Sequence, residues 1–302
     1  MRIAPGLWTE NLELGDKDLL LTGPAPGNPT MIVRTVVDGS AEMAPTVWIG
    51  RTGTLPVHLR GLTIQGGSGA LVSTPHWRRI GGGVLCESGE LEIDRCRIVD
   101  NDTGGGSAAG GGIFVGEAGE LLLQASTLAN NNAERGGGIA VEGGSAVLRM
   151  VRISGNTAPD DGAGAHVTDW RRLEADQCSF ESNRTTAYVY SELGGGAISI
   201  DRGGEVSLDR SDLVGNRALQ GGAVANAASF EMRGGSIVGN EANRYGGALQ
   251  VFAAGRALLD GVVIAKNWAL WNGGAIQNDG EQRGSTGPIT SPVRAGPGAC
   301  RR

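Results

Sequence analysis

A glycine-rich phrase that ends on an aliphatic residue returns eight times in this sequence at nearly even spacing. The copies are 25 to 33 residues apart and begin at Gly81, Gly110, Gly136, Gly162, Gly195, Gly221, Gly246 and Gly273. A period in this range is typical of proteins built from stacked repeat units. The chain is therefore expected to form one long array and not several independent domains.

A second motif keeps a nearly constant distance from the first. An aliphatic or aromatic residue stands three positions before an asparagine in seven repeats, at Asn101, Asn131, Asn156, Asn183, Asn216, Asn240 and Asn267. The asparagine follows the first glycine of its repeat by 19 to 21 residues, although the length of the whole repeat varies more. Each repeat thus has a fixed part and a variable part.

Alignment on the asparagines produces three apolar columns. The column three positions before the asparagine contains Ile98, Leu128, Ile153, Phe180, Leu213, Ile237 and Ile264. The column eight positions before it contains Ile93, Leu123, Leu148, Ala175, Leu208, Met232 and Leu259. The column after the glycines contains Val84, Ile113, Ile139, Ala165, Ile198, Val224, Leu249 and Ile276. Residues in one column are expected to lie above one another and to face the core.

Between the columns, apolar and polar residues alternate over runs too short for helices, which predicts short strands. The repeats run with one polarity, and parallel crossovers are almost always right-handed. The sequence therefore predicts an all-β fold, a single-stranded right-handed parallel β-helix of about ten coils over residues 1–280, followed by an irregular tail over 281–302. The asparagines are expected to form a structural ladder, in which each side-chain amide hydrogen-bonds to the coils above and below.

Composition excludes several classes of function. The formal net charge of -6 argues against nucleic acid as a partner, and no apolar run is long enough for a membrane span. The four cysteines suggest neither a disulfide framework nor a zinc site, and no metal or cofactor is expected. The first coil lacks an amphipathic cap, so edge-to-edge self-association is expected there unless a preceding segment or a partner covers it.

The phrases that begin at Gly221, Gly246 and Gly273, together with Phe180-Glu181-Ser182-Asn183, resemble the GGA[ILV] and FxxN repeats of polymorphic outer-membrane proteins. More broadly, residues 61–278 resemble bacterial right-handed β-helix proteins of the pectin-lyase-like superfamily. The resemblance implies an extracellular or cell-surface protein, often an adhesin. The same superfamily includes polysaccharide lyases and glycoside hydrolases, so an enzymatic alternative stays open.

Two groups of residues are candidates for enzymatic chemistry. Asp160-Asp161 and the nearby His166 stand where an acid and a base for glycoside hydrolysis would be sought. A charged column contains Arg149, Asp176 and Asp209, which could place carboxylates around Ca²⁺ beside an arginine. The structural alternatives are a plain turn at the aspartate pair and a solvated face that keeps the sheet soluble.

Three insertions leave the helix at one corner, between the asparagine and the next glycine phrase. The first contains His76, Trp77, Arg78 and Arg79, and the third contains Tyr188 and Tyr190. Aromatic rings and guanidinium groups suit sugar rings and acidic glycans, although the same side chains could instead fold back and cover the sheet. The two loops are roughly 19 Å apart by strand spacing, which only a polymer could bridge. We therefore expect a non-enzymatic, adhesin-like protein that binds an extended polysaccharide or cell-surface component.

Overall fold

A computed structural model describes residues 1–14, 18–50, 56–73, 77–168, 171–186 and 194–280 of the chain. The described chain winds into a right-handed solenoid of ten levels, each one turn of parallel strands, which confirms the predicted all-β fold. Within a level the chain runs along face 2, face 3, the asparagine corner and face 1, which are defined by their strands below.

Face 1 contains Leu12–Leu14, Val47–Ile49, the first part of Val84–Asp94, the first part of Ile113–Gln124, Ile139–Glu142, Ala165–Thr168, Ile198–Ile200, Val224–Asn226, Leu249–Val251 and Ile276–Asn278. Face 2 contains the second parts of the two long strands, Val84–Asp94 and Ile113–Gln124. It also contains Leu19–Thr22, Val57–Arg60, Ser145–Arg149, Arg172–Asp176, Glu205–Asp209, Ser229–Arg233 and Arg256–Asp260. Face 3 contains Gly6–Thr9, Thr35–Asp38, Thr63–Gln65, Arg97–Val99, Thr127–Ala129, Arg152–Ser154, Ser179–Glu181, Asp212–Val214, Ser236–Val238 and Val263–Ala265.

A few elements lie outside the three faces. A short fourth sheet after the asparagine corner contains Thr157–Ala158, Arg184–Thr185, Arg217–Gln220, Glu241–Tyr245 and Trp268–Ala269. The second level also contains an α-helix, Pro29–Arg34, and a 3₁₀ turn, Gly39–Ala41. The first insertion forms an antiparallel hairpin from Ala70–Val72 and Arg78–Ile80. No described helix is long and apolar enough to cross a membrane.

The three apolar columns fill the core in register. Val84 pairs with Ile113, Ile93 with Leu123, and the later members of each column follow at every level. Their side chains point inward and are buried at all but the terminal levels, because residues that alternate along a strand face opposite sides of the sheet. Removal of these side chains from water is the main stabilising contribution to the fold.

The seven asparagines form one buried hydrogen-bonded ladder. In the first six, Nδ2 donates to the Oδ1 of the asparagine in the next level at 2.9–3.1 Å. The same Oδ1 accepts the backbone N–H of the preceding asparagine. The second Nδ2 hydrogen binds a carbonyl of the level before, such as Ile98 O for Asn131 at 3.0 Å. Every ladder residue except Asn267, which stands on the last described level, therefore joins its level to both neighbours.

A left-handed backbone residue precedes every ladder asparagine. These residues all have a positive φ of 54° to 68° and are Asp100, Asn130, Gly155, Ser182, Gly215, Gly239 and Lys266. The conformation turns the chain sharply between face 3 and the corner. It aims each asparagine side chain along the axis of the solenoid.

Candidate ligand-binding face

The outward side of face 1 is buried, because segments of the asparagine corner fold over it. The outward positions of successive levels pair in register, and seven of them are less than 5 % exposed: Leu85, Phe114, Ala140, His166, Ser199, Ala225 and Gln250. Ile80 and Ala109 from the corner pack against the first three and form a second, smaller apolar cluster. Further along the axis the covered positions become polar.

The first insertion packs on this surface through its second strand. The Nη1 atom of Arg78 lies 2.7 Å from Oε2 of Glu142, and the guanidinium carbon lies 5.7 Å from the centroid of the Phe114 ring. Arg79 donates from Nη1 to the carbonyl oxygens of Gly69 at 2.9 Å and Met43 at 3.2 Å. Both arginines therefore hold the hairpin in place.

Trp77 differs from its neighbours, because it is 70 % exposed beside the half-buried Arg78. It is the one described member of the aromatic candidates from the insertions. His76, Tyr188 and Tyr190 lie outside the described residues. An exposed indole presents a flat apolar face that suits the apolar face of a sugar ring.

A group of polar side chains continues this surface at the fifth to seventh levels. It contains Arg135, Asp160, Asp161, His166 and Ser199, and we call it the face 1 polar cluster. Arg135 pairs through backbone bridges with Ala109 on one side and Asp161 on the other, so both side chains stand in the corner column that covers face 1. His166 and Ser199 are paired neighbours on face 1 itself.

Several groups in this cluster keep free hydrogen-bonding capacity. His166 is 1 % exposed, and neither ring nitrogen has a partner among the described residues. The Oγ of Ser199 and the Nε of Arg135 are likewise buried without a partner in the described part of the chain. Burial, aided by the charge of Arg135, lowers the pKa of His166 to about 3, so the imidazole is neutral at physiological pH.

The aspartate pair lies beside these groups. Asp161 accepts a hydrogen bond from the backbone N–H of Gly194 through Oδ1 at 2.6 Å. Burial, with repulsion from the adjacent Asp160, raises the pKa of Asp161 to about 7. Burial also raises the pKa of Asp160, against the opposing charge of Arg135. The structure thus brings Asp160, Asp161 and His166 together on one surface.

The other candidate residues form a shallow groove on face 2. Arg149, Asp176 and Asp209 lie side by side in register, and Glu174 and Ser207 line the groove with them. Two arginines form ion pairs with these carboxylates. Arg210 Nη2 contacts Asp176 at 2.6 Å and Asp209 at 3.2 Å, and Arg172 contacts Glu174 at 2.9 Å. The groove is therefore a row of exposed ion pairs. Such pairs contribute little to stability individually.

The described residues contain no group of three or more histidine, cysteine or acidic side chains with the geometry of a metal site. The three described cysteines are free thiols inside the solenoid: Cys86, Cys96 and Cys178. Burial raises their pKa values, to about 12 for Cys86 and Cys96 and about 11 for Cys178. They are accordingly poor nucleophiles, because the thiolate is the reactive form.

Sequence reasoning missed Arg135, Glu142 and Ser199 as members of this surface. Each stands at a position where the repeat pattern tolerates many residue types, so no column singled them out. The available signal was positional: Arg135 directly precedes the glycine phrase at Gly136, as Asp161 precedes the phrase at Gly162. Residues at equal offsets from the phrase share a column in a stacked array.

A comparison with protein families gives one match, to the family described as right handed beta helix region, over residues 57–212. The matched segment is a little over half of the 302-residue chain. No curated protein and no solved structure matches the chain.

Proposed function

Because the chain belongs to the right-handed β-helix family, whose stacked levels present long continuous surfaces, we propose that it is a non-enzymatic, adhesin-like protein. In this proposal it is secreted or displayed on the cell surface. It binds an extended glycan along the corner segments that cover face 1, from Trp77 to the half-buried Arg135 of the face 1 polar cluster.

The observation that carries the proposal is a half-buried guanidinium, that of Arg135, on the same side of the solenoid as the exposed indole of Trp77. Arg135 is half-buried, and no described carboxylate forms an ion pair with it. Its guanidinium can therefore bind a hydroxyl, carboxylate or sulfate without first breaking a salt bridge.

The distance between the two parts favours a polymer. Trp77 precedes the face 1 strand of the third level and His166 lies on that of the sixth, so about 14 Å separates them by the spacing of paired strands. One sugar ring cannot reach both. A chain of several sugars that runs parallel to the solenoid axis can.

A glycan array followed by titration calorimetry with the oligosaccharides that bind tests the proposal. Trp77→Ala and Arg135→Gln are each expected to weaken binding about tenfold, since truncation of a central contact residue commonly costs more than 1 kcal/mol. The matched control is Trp268→Ala, which removes a tryptophan 50 % exposed on the last level. Equal losses in the Trp77 and Trp268 variants, or binding to no glycan, would contradict the proposal.

One observation favours a second function, a divergent polysaccharide hydrolase or lyase. A carboxyl group with a pKa of about 7 beside a second carboxylate is what a general acid requires at neutral pH. Incubation with acidic polysaccharides would release reducing or unsaturated ends, and Asp161→Asn would abolish that release. Glycan binding without any turnover would contradict the enzymatic function and support binding only.

A further inference from the structure

Among the described residues, the edge strands of the first and last levels each lack a strand partner on one side. On the first level the edge strands are Gly6–Thr9 and Leu12–Leu14, and on the last they include Val263–Ala265 and Ile276–Asn278. A free edge is a row of unpaired backbone groups that can pair with another strand of the same geometry. The question is which strand fits.

Asn11 occupies the asparagine corner of the first level. Trp8 pairs with Val37, and Val37 pairs with Ile64, so the residue three positions after Trp8 belongs to the ladder column. Its Nδ2 donates to carbonyl oxygens of the second level, at 2.8 Å to that of Pro45. Its Oδ1 is buried and accepts no hydrogen bond from any described residue. Inside the ladder, that oxygen is the atom that accepts from the level before.

Asn267, at the other end of the ladder, has hydrogen-bond donors without an acceptor among the described residues. Its Oδ1 accepts from Nδ2 of Asn240 at 2.9 Å, and one Nδ2 hydrogen binds Ile237 O at 2.7 Å. Among the described residues, nothing accepts from its backbone N–H or its second Nδ2 hydrogen. These are the two donors that the other ladder asparagines give to the next level. The last level therefore offers the donors that Asn11 lacks.

The first and last levels also carry opposite charges in one column of face 2. The face 2 column that contains Arg149 and Asp176 begins with Arg2, which bridges to Thr22, and ends with Asp260. If a first level continued the stack beyond a last level, Arg2 would follow Asp260 in that column. Apolar surface would be covered at the same time, since Trp8 and Val263 are both more than 40 % exposed.

We propose that copies of this chain associate head to tail, with the first level of one copy stacked on the last level of the next. Strand pairing, the asparagine ladder and the face 2 column all continue across the junction. The two contacting surfaces differ, so the interface is heterologous and generates linear assemblies.

Sedimentation velocity on the full chain, with two single charge reversals and their mixture, tests the proposal. Wild-type protein is expected to form concentration-dependent linear oligomers. Arg2→Asp and Asp260→Arg alone are each expected to weaken association about tenfold or more, because like charges then face each other at every junction. An equimolar mixture of the two variants is expected to regain association, because each junction again joins opposite charges. Glu205→Arg, which reverses an exposed charge in the middle of face 2, serves as the control.

Each alternative outcome is informative. Wild-type protein that stays monomeric at all concentrations would overturn the proposal. Association that survives both charge reversals, or a mixture that assembles no better than its components, would also overturn it. Circular dichroism of each variant verifies that the solenoid is intact.

Discussion

The Nδ2 atom of Asn183 donates to Oδ1 of Asn216 at 3.0 Å, and both side chains are completely buried. Asn183 Oδ1 in turn accepts two hydrogen bonds from Asn156, one from its backbone N–H and one from Nδ2. One side chain thus satisfies buried polar groups in the levels on both sides of it.

Asn183→Ala is expected to lower the free energy of unfolding by about 3 kcal/mol or more, since each buried group left without a partner costs roughly 1–3 kcal/mol. Urea denaturation measures the loss. The control is Asn243→Ala, whose side chain accepts a hydrogen bond from Arg217 at 3.4 Å on the surface. Similar losses in the two variants would show that the ladder contributes nothing specific.

Two glycines with similar backbone conformation allow the cost of a left-handed residue to be measured apart from the cost of a steric clash. Gly221 has φ of +59° and Gly239 has φ of +68°, but a Cβ on Gly221 would strike the carbonyl oxygen of Val224, whereas a Cβ on Gly239 would meet open space. Gly239→Ala should therefore cost only the left-handed penalty of about 1–2 kcal/mol. Gly221→Ala should cost clearly more in the same thermal unfolding experiment. Equal costs would mean that the backbone at Gly221 relaxes freely.

Asp161 should make stability depend on pH in an unusual direction. Its native pKa of about 7 exceeds the ordinary aspartate pKa of 3.8, so between pH 4 and 7 the folded state holds a proton that the unfolded state releases. The contribution of this carboxyl to the free energy of unfolding therefore falls as pH rises through that range and stays low above it.

Asp161→Asn removes the titration and keeps an oxygen for the N–H of Gly194. The variant should match the wild type near pH 4 and be more stable at pH 8 by about 1–3 kcal/mol, since one pKa unit corresponds to 1.36 kcal/mol. Calorimetric Tm values at several pH values measure the difference. Asp209→Asn, on the exposed face 2, should show no such gain at pH 8. A gain that is the same at pH 4 and pH 8 would exclude titration as its cause.

The Arg78–Glu142 contact should hold the first insertion against face 1. The two side chains are only 17 % and 8 % exposed, so a double-mutant cycle with alanine at both positions is expected to give a coupling energy of about 1–3 kcal/mol. The exposed pair Arg152–Glu181 is a matched control, for which the expected coupling is below about 1 kcal/mol. Coupling energies of equal size would indicate that burial adds nothing to the first pair.

The sequence predicts the fold because each level repeats the same few requirements. The columns of Val84, Ile93 and Ile98 could be placed in register from spacing alone, and the strands pair as that spacing requires. The first levels escaped the pattern because Ser40 and Gly67 stand where later levels have asparagine. Asn11 was consequently not identified as a member of the ladder column.

The surface was less predictable because its contacts do not repeat. The partners of Arg78 are Phe114 and Glu142, which lie 36 and 64 residues further along the chain. Only the folded corner brings them together. Likewise, the burial of His166 depends on corner segments whose length varies from level to level. Periodic spacing specifies which residues lie above one another in the solenoid. It does not specify which part of the surface an insertion covers.

The ladder has one further property, which follows from its uniform direction. Every N–H bond between asparagine side chains points toward the last level and every carbonyl points toward the first, so the amide dipoles add as peptide dipoles do along an α-helix. Chains of this kind also polarise one another. The solenoid is therefore electrically directional, with a positive pole near Asn267 and a negative pole near its beginning. The charge of Asp260, on the same level as Asn267, lies near the pole that favours it.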